Sequence, residues 1–352
     1  MPAEHNNRIE AIDVAKGIGM LFVIFAHINY TKAPLTVIYS FHMPLYFILS
    51  GMMFDRSRYS GFSQFIKRRF FSLIVPYLIF QFISLAFFFL SEIVFSGFSP
   101  EIADQGITYI TQVFISQGSA NMFNRPMWFV LCLFAVEIIY YLISSLNKIA
   151  VAVICAAAAA AGWLLESDII PFDSNILPWS LDSALFSMGF YALGNIFAQS
   201  VKSTITKISQ SKYKAIICIL IFLCSTAVLI PLALLNGKIS IGSKDLNNGF
   251  LLYLTGIAGT TAILSLSILL EKARIFQFMG QTSFYIMGIH YLLRMVISKV
   301  YVILGIPAYN SESLTECIVP FITITVLSLF FALLYRKADK IIRRKLSKRK
   351  TA

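Results

Sequence analysis

The sequence predicts an all-α, polytopic integral membrane protein of about ten transmembrane helices, with both termini in the cytoplasm. Three observations carry that prediction. Hydrophobic residues make up 58% of the 352 and charged residues only 13%, well below the roughly 25% charged of soluble domains. Apolar runs of about 20 residues recur along the whole chain, each long enough to cross a hydrocarbon core of about 30 Å as a helix with its backbone bonded internally. Lysine and arginine are distributed unevenly between the connecting segments, as the positive-inside rule requires of cytoplasmic loops.

The elements follow in order. Span 12–30 carries a lysine, has a long apolar run and is followed by no small-x-small cleavage site, so it reads as a retained helix and not a signal peptide. Span 36–54 contains "FHMPLYFILSG", with Pro44 at a favourable early helix position. The stretch "DRSRYSGFSQFIKRRFFSL" reads as a basic amphipathic helix on the cytoplasmic face before span 73–95. Segment 96–126 is the longest outer loop, placed to fold partly over an outward-facing site. Spans 127–146 and 148–166 come next, the latter holding the alanine run Ala156 to Ala161, which suits close helix packing in lipid. Spans 179–199, 214–235, 248–270, 282–304 and 314–335 complete the set, ahead of a basic tail, 336–352. No soluble domain is expected at either end, and residues 1–352 read as one transmembrane domain.

Of the 29 lysines and arginines, 22 fall on the side holding the termini, four on the other side (Lys32, Arg125, Lys238, Lys244) and three inside spans (Lys16, Arg294, Lys299). The net charge of +12 is thus mainly a topology signal. The tail "RKADKIIRRKLSKRK" directly follows a span and suits anionic lipid headgroups of the bilayer, not nucleic acid. Cys132, Cys155, Cys218, Cys224 and Cys317 lie in apolar segments without CxxC spacing and read as small core residues, neither disulfides nor metal ligands.

The first span poses a chemical question, because Asp13, Lys16 and His27 are ionisable. Eleven residues of α-helix turn about 1,100°, some 20° beyond three full turns, so Lys16 and His27 share one face about 16 Å apart along the axis. Asp13 lies on that face too, and Met20 with Ile24 fills the stripe between. An unpaired charge in lipid costs about 2.5–3.5 kcal/mol, so this face points into the protein. Asp13 and Lys16 form either an interfacial ion pair with a snorkelling lysine or one wall of a site. His27 is either an interhelical hydrogen-bonding residue or a reactive one. His42, at the outer end of the second span, lies near it, but two histidines without a third ligand make a poor metal centre, and none is expected.

These segments resemble a known family. "RIEAIDVAKGIGMLFVIFAH", "FHMPLYFILSGMMF" and "RRFFSLIVPYL" are similar to the opening of acyltransferase-3 membrane proteins, and "AKGIG" resembles the branch that holds fucose O-acetylases. "WFVLCLF" around Trp128 and "TSFYIMGIH" ending at His290 are also similar. The chain differs in having Ser72 where the family often has a second arginine, and Met287 in place of a tyrosine. The resemblance implies a multi-pass protein of the bacterial cytoplasmic (inner) membrane that moves an acetyl group from cytoplasmic acetyl-CoA to a sugar hydroxyl of a cell-surface or exported polysaccharide, or its lipid-linked precursor. Acetyl-CoA is then a substrate, with no bound cofactor, and the saccharide acceptor is modified directly, since no extracellular esterase-like domain is attached.

The residues accommodate that chemistry. A histidine buried among apolar helices stays neutral and able to accept a proton, which makes His27 the expected general base and His42 a second candidate or orienting partner. Donor phosphates need cytoplasmic cations, for which Lys16, Arg68 and Arg69 are the candidates, the run Lys67 to Arg69 serving equally as a positive-inside anchor. Glu137, Asp182, His290 and Arg294 are supporting polar groups or plain interhelical contacts, and Glu137 and Arg294 are placed to neutralise each other. Arg125 and Trp128 stand at the outer mouth, the tryptophan either stacking on a sugar or sitting in the interfacial aromatic belt. The rival class is a transporter or exporter of a sugar or polysaccharide intermediate, against which stands the lack of paired broken helices and symmetric halves.

Overall fold

The computed structural model describes residues 9–28, 33–97, 99–116, 122–166, 177–243, 245–306 and 313–351. Lys32 and Lys244, two of the four cations expected on the outer side, lie outside them. Fifteen α-helices account for most of the described chain, and the β structure there amounts to one isolated bridge between Ser240 and Asp245. The helices are α1 Glu10–Ala26, α2 Ala33–Tyr39, α3 His42–Met53, α4 Phe62–Arg69, α5 Val75–Ser96, α6 Pro100–Ile115, α7 Trp128–Ile143, α8 Lys148–Leu165, α9 Leu181–Ile196, α10 Ala198–Gln210, α11 Lys214–Asn236, α12 Gly249–Leu269, α13 Arg274–Gln281, α14 Ser283–Ile303 and α15 Leu314–Thr351. The chain is an all-α, multi-pass membrane protein.

Eight helical segments among the described residues are long and apolar enough to cross a bilayer. Each coincides with one of the ten expected spans. The other two expected spans fold as α1 and α9, of 17 and 16 residues. At 1.5 Å per residue these rise only about 25 Å, short of a full hydrocarbon core. Both are walled in by protein: Val14, Ala15 and Ile24 of α1 and Ala184, Met188 and Phe190 of α9 are buried. A helix that ends at membrane depth is tolerated where its freed backbone faces a cavity or protein instead of lipid. The end of α1 falls at His27.

Around this centre the helices sort by what they touch. The α7 segment is 78% buried and the α11 segment only 11%, so α7 belongs to the middle and α11 to the lipid-facing rim, packed along α12. Leu220, Leu223 and Leu235 project outward from α11. Cys224 on the same helix is exposed, unlike the other four cysteines, which removes it from the predicted core set.

The basic segment before the third span is not a separate surface helix. From α4 the chain runs on through a π-helical turn, Phe70–Ile74, into α5, giving one unbroken segment over Phe62–Phe95. Pro76 has no N–H for the carbonyl four residues back, and the Val75 N–H instead reaches the Phe70 carbonyl, five residues back. This wider turn absorbs the missing bond without breaking the helix.

Two pairs of glycines set the closest helix crossings. A methyl group built on Gly17 would land on the Phe276 carbonyl, and one on Gly280 on the Asp13 carbonyl, so α1 and α13 touch backbone to backbone. Likewise a methyl on Gly51 would strike the Tyr191 carbonyl and one on Gly194 the Ile48 carbonyl, locking α3 against α9. Small residues allow such approach in lipid, where packing replaces the hydrophobic drive. Gly194→Val should therefore lower stability in detergent by about 2 kcal/mol or more, as overpacking does. Gly61→Ala, where the added carbon meets nothing within 4 Å, should leave the unfolding temperature unchanged; equal effects would refute the crossing argument.

Candidate active site

A cavity of about 460 Å³ opens between α1, α3, α7 and α14, lined by residues from both ends of the α1 stripe. Lys16, Met20, Val23 and His27 face it at intervals of four, three and four residues, the spacing of a single helical face. Val23, not Ile24, fills the stripe below the histidine; Ile24 is buried outside the cavity lining. Facing α1 are Tyr39 and, from α3, His42, Met43, Tyr46 and Ser50. On the third side α14 contributes Ser283, Met287, Tyr291 and Arg294, again one helical stripe.

The mouth is built from two turns. Asn124 donates to the Ser84 hydroxyl at 3.0 Å and the Gly288 carbonyl at 2.9 Å, pinning the turn that carries Arg125 and Pro126 to the cavity wall. The turn Ile241–Ser243 lies over Trp128, with Gly242 so close that any side chain would overlap the indole. Ser183 Oγ donates to the Ile241 carbonyl at 2.9 Å and holds this turn to α9. Trp128 is thus buried and lines the cavity, away from an interfacial belt. About half of the predicted outer loop 96–126 forms α6, and among its described residues Arg125 and Pro126, at its end, reach the cavity.

Three histidines share a bonding device. His27 Nδ1 lies 2.7 Å from the Val23 carbonyl, His42 Nδ1 2.8 Å from that of Ile38, and His290 Nδ1 2.9 Å from that of Ile286. A carbonyl oxygen can only accept, so in each ring Nδ1 carries the proton and Nε2 is left as the acceptor. His290 Nε2 then points at His27 Nδ1 across 3.4 Å, with ring centroids 5.1 Å apart. Tyr291 packs edge-on against His27 at 5.7 Å, and Tyr39 against His42 at 5.1 Å. The imidazole in contact with His27 is that of His290; His42 stands across the cavity.

The predicted site residues divide. Lys16, His27, His42, Arg125, Trp128 and Arg294 line one cavity, and His290 backs it through His27. Arg69 does not line it: its guanidinium donates through Nε and Nη2 to both carboxylate oxygens of Glu137 on α7. This replaces the expected pairing of Glu137 with Arg294. Arg68 is exposed, donating to the Arg58 carbonyl at 3.2 Å. Asp182 is fully buried at the start of α9 and accepts from the Ser183 backbone N–H at 2.8 Å, outside the cavity lining. Asp13 is held against α13 through its backbone.

Several cavity residues escaped the sequence reading. Tyr46 donates to the Lys16 carbonyl at 2.7 Å and clamps α3 to α1 at the lysine's level. Tyr39, Tyr46 and Tyr291 had a faint signal, since each is within four residues of a histidine on the same or an adjoining helix. The turn Ile241–Ser243 had none.

Sequence comparison closes the question of kinship. The model of the acyltransferase-3 family, described as an acyltransferase domain, matches residues 9–337. The chain belongs to that family. Every residue lining the cavity falls within the matched span. A curated relative, the nodulation protein NolL of Mesorhizobium japonicum, is 26% identical over 216 residues, which cover 57% of this chain and 50% of the relative. The chain therefore spans about half the length of that relative. No solved structure matches the chain.

Proposed function

We propose that this protein is a membrane O-acyltransferase that moves an acetyl group from cytoplasmic acetyl-CoA to a sugar hydroxyl of a cell-surface or exported polysaccharide, or its lipid-linked precursor. The observation that carries the reading is the single cavity joining Lys16 to His27. The lysine marks the end where the charge bias puts the cytoplasm, and a soluble donor enters there with its phosphates on cations. Its flexible, uncharged arm then extends along the α1 stripe towards the histidine. The acceptor approaches from the end of Arg125 and Trp128.

The step follows from the tautomer. His27 Nδ1–H donates to the Val23 carbonyl, so Nε2 accepts the proton of the sugar hydroxyl as its oxygen bonds to the thioester carbonyl carbon. The tetrahedral intermediate expels the thiolate, breaking the C–S bond, and the proton on His27 passes to that sulfur. The products are the acetyl ester and free CoA. His42 orients the acceptor or takes a second proton position. Domain membership supports acyl transfer; the membrane is proposed to be the bacterial inner membrane, and the whole matched chain one catalytic domain.

Purified full-length protein in detergent tests the reading against transport. Acetyl-CoA cleavage that depends on a glycoside acceptor is expected; movement of a sugar across vesicles without any thioester turnover would establish the exporter instead. His290→Ala should lower kcat by about tenfold and shift the pH–rate profile while leaving the acetyl-CoA KM in place, because the ring acts on His27 and not on the donor. A change confined to KM would assign it to binding.

A further inference from the structure

The cavity is lined by three cations and by no carboxylate. Lys16 stands at its inner end, and Arg125 and Arg294 at the end beyond the histidine pair. Arg294 is one helical turn past His290 on α14, and Arg125 lines the same cavity together with Tyr39 and Tyr291. The two guanidinium groups therefore belong to the wall of one cavity. Among the described residues neither forms an ion pair, whereas their neighbour on α14, Lys299, is paired with Glu92 at 3.0 Å. Arg294 rests over the Tyr291 ring at 5.3 Å, and its Nε is buried without a hydrogen-bond partner among those residues.

A cation without a counterion raises the energy of a membrane interior, and at Arg294 a donor N–H buried without an acceptor adds to that cost. The donor does not answer this need. Its phosphates belong to the nucleotide end, at the opposite mouth, and the thioester that reaches the histidine is uncharged. Stabilising one oxyanion in the transition state requires one donor cluster, not two guanidiniums, of which Arg125 stands exposed at the entrance. A neutral sugar leaves the Arg294 charge and its buried N–H uncompensated.

We propose that the acceptor is an anionic saccharide, whose negatively charged group, a carboxylate or a phosphate, is gripped between Arg294 and Arg125 while its hydroxyl faces His27. The inference rests on the acyltransferase reading for the word acceptor, but not for the anion site. Guanidinium matches both groups in planar, two-pronged geometry, and the two arginines fix which way the saccharide enters.

The test uses the full chain in lipid nanodiscs with acetyl-CoA and three probes: methyl glucoside, methyl glucuronide and glucose 1-phosphate. Acylation of one charged probe should exceed that of the neutral one by about tenfold or more in kcat/KM, and the arm that responds tells carboxylate from phosphate. Arg294→Gln should bring the ratio close to one, Arg294→Lys should retain part of it, and Arg125→Gln, at an exposed position, should lower it without risk to folding. Calorimetric binding of the same three probes is measured alongside. Equal use of neutral and charged probes, or charged-probe binding that survives both glutamine variants, overturns the proposal. Arginine-dependent binding without acylation of any probe would uphold the anion site and count against the acyltransferase reading instead.

Discussion

His27→Ala is expected to remove acceptor-dependent turnover by at least about a hundredfold, the low end of what a positioned acid–base group contributes, while the protein still inserts and purifies as before. The expectation follows from where α1 ends. His27 is the residue at which the helix stops: its backbone N–H bonds the Ile24 carbonyl, and that of Ile28 bonds the Phe25 carbonyl. The side chain adds one local bond, to Val23, so the helix loses little when it is removed. What disappears is the Nε2 lone pair that the proposed step uses as proton acceptor. His27→Gln separates polarity from proton transfer: glutamine refills the volume and donates a hydrogen bond, yet takes no proton at neutral pH, and should be as inactive as alanine. Near-normal turnover in either variant, measured as CoA release with acceptor present, would exclude histidine as the base and leave His42 to be tested in the same way. An inactive variant that fails to purify decides nothing by itself, which is why insertion is measured with it.

Much of this arrangement was legible from spacing. The 16, 20, 27 stripe placed a lysine and a histidine on one face, and the short connection to the second span put His42 nearby; both depend only on helical periodicity. Periodicity is a property of one helix, and the failures arise where two helices must be known at once. The contact between His27 and His290 joins residues 263 apart in sequence, and nothing local announces it. The turn Ile241–Ser243 has no strong hydropathy and is held by Ser183 and Trp128, so its place over the cavity is a tertiary result. The shortness of α1 and α9 was hidden for a related reason. Hydropathy reports that a segment is apolar, not whether lipid or protein surrounds it, and central helices satisfy the pattern without spanning the full core.

The pairing of Arg69 with Glu137 was invisible on the same grounds, and it changes what Arg69→Met should do. The guanidinium fork is engaged on both carboxylate oxygens of Glu137, whose side chain is 5% exposed, while that of Arg69 is 26% exposed. Removing one member strands the other's charge, and breaking such a pair costs about 3 kcal/mol or more, far above the value of the intact pair against apolar replacements. Arg69→Met and Glu137→Leu should each lower the unfolding temperature in detergent markedly. The double variant should recover most of the loss, because no charge is then stranded. The acetyl-CoA KM should change little in the double variant, since the arginine lies outside the cavity lining and its fork is already occupied. A guanidinium that instead serves the donor phosphates gives a different pattern. Arg69→Met would then raise the donor KM whether or not Glu137 is present, and Glu137→Leu alone would tighten donor binding by releasing the arginine. The two patterns differ in sign for Glu137→Leu, so that one variant, scored by donor KM and unfolding temperature together, separates a structural clamp between α4 and α7 from a donor-binding residue.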